Sequence, residues 1–170
     1  MKKLQILKVI LDFFWFFSLI GGIGILLFTA FYLFNSAIAI PVIIKGQEIV
    51  PNDLLSKLII FVNAFTGLLF LFSVYLLRKV VDHFQKRDIF NPDVIKHFNL
   101  IGKLIISSSL LSNLSLFIYN MVNQDHIELS LGFGSYDSFL ISISLGLFFM
   151  VISEIFKIAA SLKEENELTV

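Results

Sequence analysis

Residues 54–77 read "LLSKLIIFVNAFTGLLFLFSVYLL", a run in which Lys57 is the single charge. A helix needs about 20 apolar residues to cross about 30 Å of hydrocarbon, so this stretch is long enough to span a membrane. Lipid offers no partner for a free peptide group, and a segment that crosses it is therefore helical. Residues 9–34, 100–122 and 138–158 pass the same test. The sequence predicts an all-α membrane protein, an up-down-up-down bundle of four transmembrane helices forming one domain over residues 1–170.

Composition agrees. Hydrophobic residues make up 57% of the 170 and charged residues 15%, against about 45–50% and about 25% in a soluble domain. Formal net charge is zero, so no global basic character points to nucleic acid, and no direct nucleic-acid binding is expected. There is no cysteine, which removes disulfides, thiolate metal sites and cysteine nucleophiles. The start "MKKLQILK" and the later Ala37-Ile38-Ala39 imitate a cleavable signal. The apolar run between them far exceeds the usual core of about 7–15 residues, so an uncleaved first span is expected.

The position of Lys and Arg sets orientation. Lys2, Lys3 and Lys8 lie before or at the start of the first span. Arg78, Lys79, Lys86, Arg87, Lys96 and Lys103 lie in or beside the middle connection, and Lys157 and Lys163 at the carboxyl end. That makes eleven on one side, against Lys45 and Lys57 on the other. Both termini and the middle connection are expected in the cytoplasm.

Apolar side chains gain little by leaving lipid for protein, so membrane helices associate through small residues and hydrogen bonds. The candidates are Gly21, Gly22 and Gly24 in the first span, and Asn63 and Gly67 in the second. The third offers Ser108, Ser112, Asn113 and Ser115, and the fourth Ser138, Ser142 and Gly146. The outer connections read as strands. Lys45-Gly46 suits a hairpin turn, and "HIELSLGF" places Ile127, Leu129, Leu131 and Phe133 on one side. A small extracytoplasmic β cap is expected from the two.

Residues 78–100 read as a basic helical hairpin that turns near Asp88–Phe90. Asn91 suits an N-cap, Pro92 the first helical position, and Asp93 the positive end of the helix. Charges within spans are costly and usually paired. Asp12 lies four residues, about 6 Å, past Lys8 on a helix. Glu154 lies three before Lys157. Asp12 or Glu154 is expected to pair across helices with Arg78, Lys79 or Lys103, and these six residues form a candidate charge cluster. His83, His97 and His126 are too dispersed for a metal site. No HExxH, phosphate-cradling glycine loop or nucleophile elbow is present, so neither an enzyme nor a cofactor is expected.

The chain ends "SLKEENELTV", a polar extension of the fourth helical pattern over residues 159–170. It is either a structural end or a peptide that docks on a partner or on the hairpin. "EIFKIAASLKEENELTV", the start "MKKLQILKVILDFFWFF" and the spacing from Phe84 and Phe90 to Ile101-Gly102 resemble a bacterial multi-pass membrane family known as domain of unknown function 2975. The match is most specific at Glu154, Phe156, Lys157, Leu162, Lys163, Glu165, Asn166, Glu167, Leu168, Thr169 and Val170. It departs at Ile158 and Ala159, where members often carry glycine after the basic residue. The resemblance implies a bacterial inner-membrane location. It also implies a partner, because members are often encoded beside a small Cro-like helix-turn-helix regulator. Lys86, Arg87, Asn91, Lys163, Glu165, Asn166 and Leu168 are the candidate docking residues. The expected role is regulation or interaction at the membrane. The alternatives are a small oligomeric transporter-like or channel-like unit, resting on Asn63, Asn113, Asp12 and Glu154, and a passive accessory subunit.

Overall fold

A computed structural model describes residues 2–34, 41–123 and 139–168. Four helices dominate: α1 (Lys2–Phe34), α2 (Leu54–Gln85), α3 (Pro92–Asn123) and α4 (Phe139–Leu168). All four are long and apolar enough to cross a membrane. At 1.5 Å per residue each is about 45–50 Å long, more than the hydrocarbon requires. The surplus turns carry the charges. The second strand proposed for the outer cap, with His126 and the Ala37-Ile38-Ala39 motif, lies outside the described residues, as do Ser138, Thr169 and Val170.

The helices associate in chain order, α1 with α2, α2 with α3 and α3 with α4. α3 is the best covered: 44% of its most apolar stretch is buried, against 6% for α1. Contacts rise along one helix as they fall along the next. Asp12 meets Arg78 while Trp15 meets Tyr75; Phe84 meets Phe98 while Asn63 meets Ser115. Each of these pairs therefore runs antiparallel. Residues 2–12, 78–103 and 154–168 gather at one end, called here the charged end; the opposite end carries the strands.

At the strand end, β1 (Val42–Ile44) pairs antiparallel with β2 (Gln47–Ile49). The turn residues Lys45 and Gly46 have φ of 49° and 83°, as a two-residue primed turn requires. Ile49 packs with Ile59, Ile60 and Leu116, so the hairpin rests on the ends of α2 and α3. Asp53 caps α2, accepting from the Ser56 backbone N–H at 3.3 Å, and Ser56 Oγ donates to the same carboxylate.

At the charged end, α2 stops in a Schellman turn. Arg87 N–H donates to Phe84 O at 3.2 Å and Asp88 N–H to His83 O at 3.1 Å, the paired bonds of that motif. The residue in the left-handed position is Arg87, with φ 61°, where glycine is usual. Asn91 then opens α3: its Oδ1 accepts from the Asp93 N–H at 2.8 Å. Val80, Val94, Phe98 and Ile101 form the core beneath this turn. α4 closes it with Phe156, whose ring lies 5.7 Å from that of Phe84 and 5.5 Å from that of Phe98.

The small residues divide sharply. A Cβ added at Gly102 would lie 2.4 Å from Gly146 O, and one at Gly146 would lie 2.8 Å from Gly102 O. The backbones of α3 and α4 touch here because neither residue has a side chain. Gly22 also faces a neighbour, Leu71 of α2. The expectation fails at Gly21, Gly24 and Gly67, where a Cβ would meet nothing within 4 Å. Spacing identified a stripe, but only one member of the first span's stripe turns toward a partner.

Gly102→Ala should destabilise the protein by at least the about 1–3 kcal/mol typical of overpacking, because the obstruction is backbone. Gly67→Ala should be neutral or stabilising, since alanine is the better helix former by about 1 kcal/mol. Thermal unfolding in one detergent, read by loss of monodispersity, separates the two; equal midpoints would refute the close crossing.

Candidate functional site at the charged end

The basic and acidic residues at this end are ordered by helix geometry. Lys8 and Asp12 are four apart on α1, and Arg78 and Asp82 are four apart on α2, each with the base first. In an antiparallel pair this order sets each base opposite an acid. Lys8 meets Asp82, and the Arg78 Nε–H donates to Asp12. One turn further out, Gln85 Nε2 donates to the Leu4 carbonyl at 3.2 Å. On the membrane side Trp15 packs 5.3 Å from Tyr75. The Lys8–Asp82 rung and the Gln85 bond were not anticipated from sequence. The repeated base-x-x-x-acid spacing was the available signal.

The remaining members of the expected charge cluster are not brought together across helices. Glu154 lies 3.8 Å from Lys157 on its own helix, because it projects from the exposed side of α4. Lys79 Nζ lies over the Tyr75 ring of α2, 4.8 Å from its centroid. Lys103 is exposed on α3. Asp12 and Arg78 are the cross-helix pair among the six.

α4 continues without interruption past the apolar span to Leu168, so residues 159–168 extend the fourth span as helix. Buried Ser153 donates to the Ile95 carbonyl at 2.7 Å, Phe156 enters the aromatic cluster, and Lys163 Nζ sits 5.7 Å from the Phe90 ring centroid. Each contact falls on the face of α4 turned toward the α2–α3 turn. Beyond Lys163, which also pairs with Glu167 at 3.6 Å, the helix is exposed, and Leu168 is 86% exposed. The turn itself is polar. Asn91 Nδ2 donates to the Asp88 carboxylate, and His83 Nδ1 lies 3.4 Å from it. The Asn91 bond first, with His83 and the nearby Lys163 charge, holds the Asp88 carboxyl below its ordinary range.

Of the expected docking residues, Lys86, Arg87, Asn91 and Lys163 thus gather around this turn. Glu165, Asn166 and Leu168 lie beyond it on the last turns of α4. Among the described residues no group of three or more His, Asp or Glu could hold a metal ion.

Several polar residues within the spans bond to one another, while the Oδ1 of buried Asn120 in α3 has no hydrogen-bond partner among the described residues. Asn63 Nδ2 donates to Ser115 Oγ and to the Ile59 carbonyl, each at 3.0 Å, and its Oδ1 accepts from Ser112 Oγ at 2.8 Å. Asn113 donates back to Ser109 O at 2.7 Å within α3. The Asn63 network is a clamp between α2 and α3.

Comparison with protein families matches residues 12–170 to the family described as "Protein of unknown function (DUF2975)". No curated protein and no solved structure in the comparison matches the chain.

Both ion pairs are about one-third exposed, so screening limits them. A double-mutant cycle of Asp12→Asn and Arg78→Gln should give a coupling energy of about 0.2–1 kcal/mol in detergent; strict additivity would remove the pair as a determinant of the α1–α2 contact. Asp88 behaves as a carboxylate with a depressed native pKa. Its contribution is present above the usual carboxylate range and is lost as pH falls through the depressed value. Amide hydrogen exchange of residues 86–93 should accelerate over that interval. Asp88→Asn should flatten the dependence.

Proposed function

The chain belongs to the DUF2975 family, and we propose that it is a membrane-bound regulatory or interaction protein whose α2–α3 turn and α4 extension engage a soluble partner. In this reading the four helices cross the bacterial inner membrane up-down-up-down, with the charged end and both termini in the cytoplasm. The excess of Lys and Arg at that end supports this orientation. The β-hairpin would cap the opposite side.

The observation that carries the reading is Arg87. A non-glycine residue in the left-handed region costs about 1 kcal/mol or more. Glycine would complete the same Schellman turn without that cost. The arginine set there is exposed at the tip of a well-packed helix pair, where a soluble partner can reach its charge. Lys86 is exposed beside it, and the last turns of α4 are exposed nearby. A small helix-turn-helix regulator is the partner suggested by the family resemblance. Nothing in this reading calls for catalysis or a cofactor. Transport through the interior is the weaker reading, because the Asn63 clamp leaves none of its polar atoms to face a path.

Arg87→Gly separates recognition from folding. It should keep the left-handed backbone of the turn while reducing crosslinked capture of the partner from membranes. A chain ending at Ala160 should lose that capture as well. Mass spectrometry of captured proteins should find a soluble helix-turn-helix protein with the full chain and not with either variant. Equal capture by all three would reject the reading.

A further inference from the structure

Lys103 is left over from the charge pairing. Asp12 is bonded to Arg78, and Glu154 lies beside Lys157. Lys103 has no ion-pair partner among the described residues, and neither has Lys96, although Asp93 is one turn away. Both lysines stand on the uncovered side of α3. Phe98, Ile101 and Ile105 pack with Leu76 and Val80 of α2, and Gly102 and Ile106 meet Gly146 of α4. Lys96, Leu100, Lys103 and Ser107 follow one another at helical spacing on the remaining side, and all four are exposed. The Ser107 hydroxyl has no hydrogen-bond partner among the described residues, whereas Ser108, Ser112 and Ser115 each donate to an acceptor in α2 or α3.

We propose that this side of α3 binds the headgroup of an anionic phospholipid in the leaflet at the charged end, with Lys103 and Lys96 on its phosphate and Ser107 on an ester carbonyl. Depth is the first argument. Lys103 lies five residues inward of Phe98, which meets Phe84, and twelve outward of Ser115, which meets Asn63. Its level on α2 is therefore that of Tyr75 to Lys79. Trp15 packs on Tyr75 there and Lys79 lies over the same ring, the aromatic and basic pairing of a membrane interface. A lipid-facing charge at that level is costly unless it reaches an anion or water. Charge is the second argument. Two cations without a paired acid attract a net anion, and each basic residue adds to that attraction; phosphatidylcholine brings its own cation and gains less. Order is the third. Lys96 stands about 10 Å outward of Lys103 and Ser107 about 6 Å inward. Flexible four-carbon stems let both lysines bend toward one phosphate, and the hydroxyl then lies on the ester side of it. The site is independent of the partner-binding reading, because its readout is lipid and its residues lie on α3, away from Arg87 and the last turns of α4.

The test uses the full chain in phosphatidylcholine nanodiscs containing a small fraction of a phospholipid whose acyl chain carries a photoactivatable diazirine close to the glycerol. Two probes with the same chains are compared, phosphatidylglycerol and phosphatidylcholine, and labelled positions are mapped by mass spectrometry. Over residues 96–110 the phosphatidylglycerol probe should label severalfold more than the phosphatidylcholine probe. At Leu147 and Phe148, exposed on α4 beside Gly146, the two should label alike. Lys96→Gln with Lys103→Gln should bring the first ratio down to the second. Lys96→Arg with Lys103→Arg should keep it, and Lys3→Gln, further out on α1, should not change it. Equal ratios at the two places, or a preference that persists in the double glutamine variant, would mean general attraction to the charged end and would overturn the proposal. Loss of the preference on adding inorganic phosphate would assign the lysines to a soluble anion and overturn it as well.

Discussion

A chain dissolved in hydrocarbon gains little by moving leucine or phenylalanine from lipid onto protein. This constraint decides where the four helices touch. They meet where a side chain is missing or where a polar group would otherwise lack a partner. Gly102 and Gly146 bring the backbones of α3 and α4 into contact. Asn63 ties α2 to α3 through two serine hydroxyls. Lys8, Asp12, Arg78 and Asp82 tie α1 to α2. Remove these and the abundant Phe, Leu and Ile side chains would have little reason to choose each other over lipid.

The charged end follows a different rule because it extends beyond the apolar spans. There Val80, Val94, Phe98, Phe84 and Phe156 do gain by leaving water, and they belong to the larger of two apolar clusters among the described residues. The same helices thus run through two solvents and use two kinds of cohesion. The Schellman turn, the Asn91 cap and the return of α4 across the turn make this end a small three-helix unit. Its rigidity explains how Arg87 can be held in the left-handed region, since a lone turn residue would relax to an ordinary conformation.

The spans, the helical turn near Asp88, the cap at Asn91 and the Lys45-Gly46 hairpin were all legible, because each rests on local chemistry that a short window contains. The partners of the charged residues were only partly legible. Depth alone says that Asp12 lies near Arg78 in level, but the facing side of each helix decides contact. Glu154 sits at a comparable level and yet turns away. Depth fails for the same reason at Gly21, Gly24 and Gly67, which are small and correctly spaced but point to open space. The repeated order of Lys8-Asp12 and Arg78-Asp82 carried facing information as well as depth, and it was the better guide. The backbone conformation of Arg87 was hidden, since arginine gives no sign that it will adopt positive φ.

The distribution of satisfied polar groups also bears on the proposed function. In the interior, the Asn63 amide has both donor and acceptor engaged, and Ser115 donates onward to the Ser112 carbonyl at 2.9 Å. An interior polar network in that state holds helices together, and opening it to carry a solute would first break the bonds that assemble α2 and α3. At the charged end the cost is different. Side chains such as Lys86 and Glu164 are exposed on a scaffold already fixed by Phe98 and Phe156. A partner can replace water there without disturbing the core. The proposed recognition function therefore belongs to the charged end, and the Asn63 clamp belongs to its support.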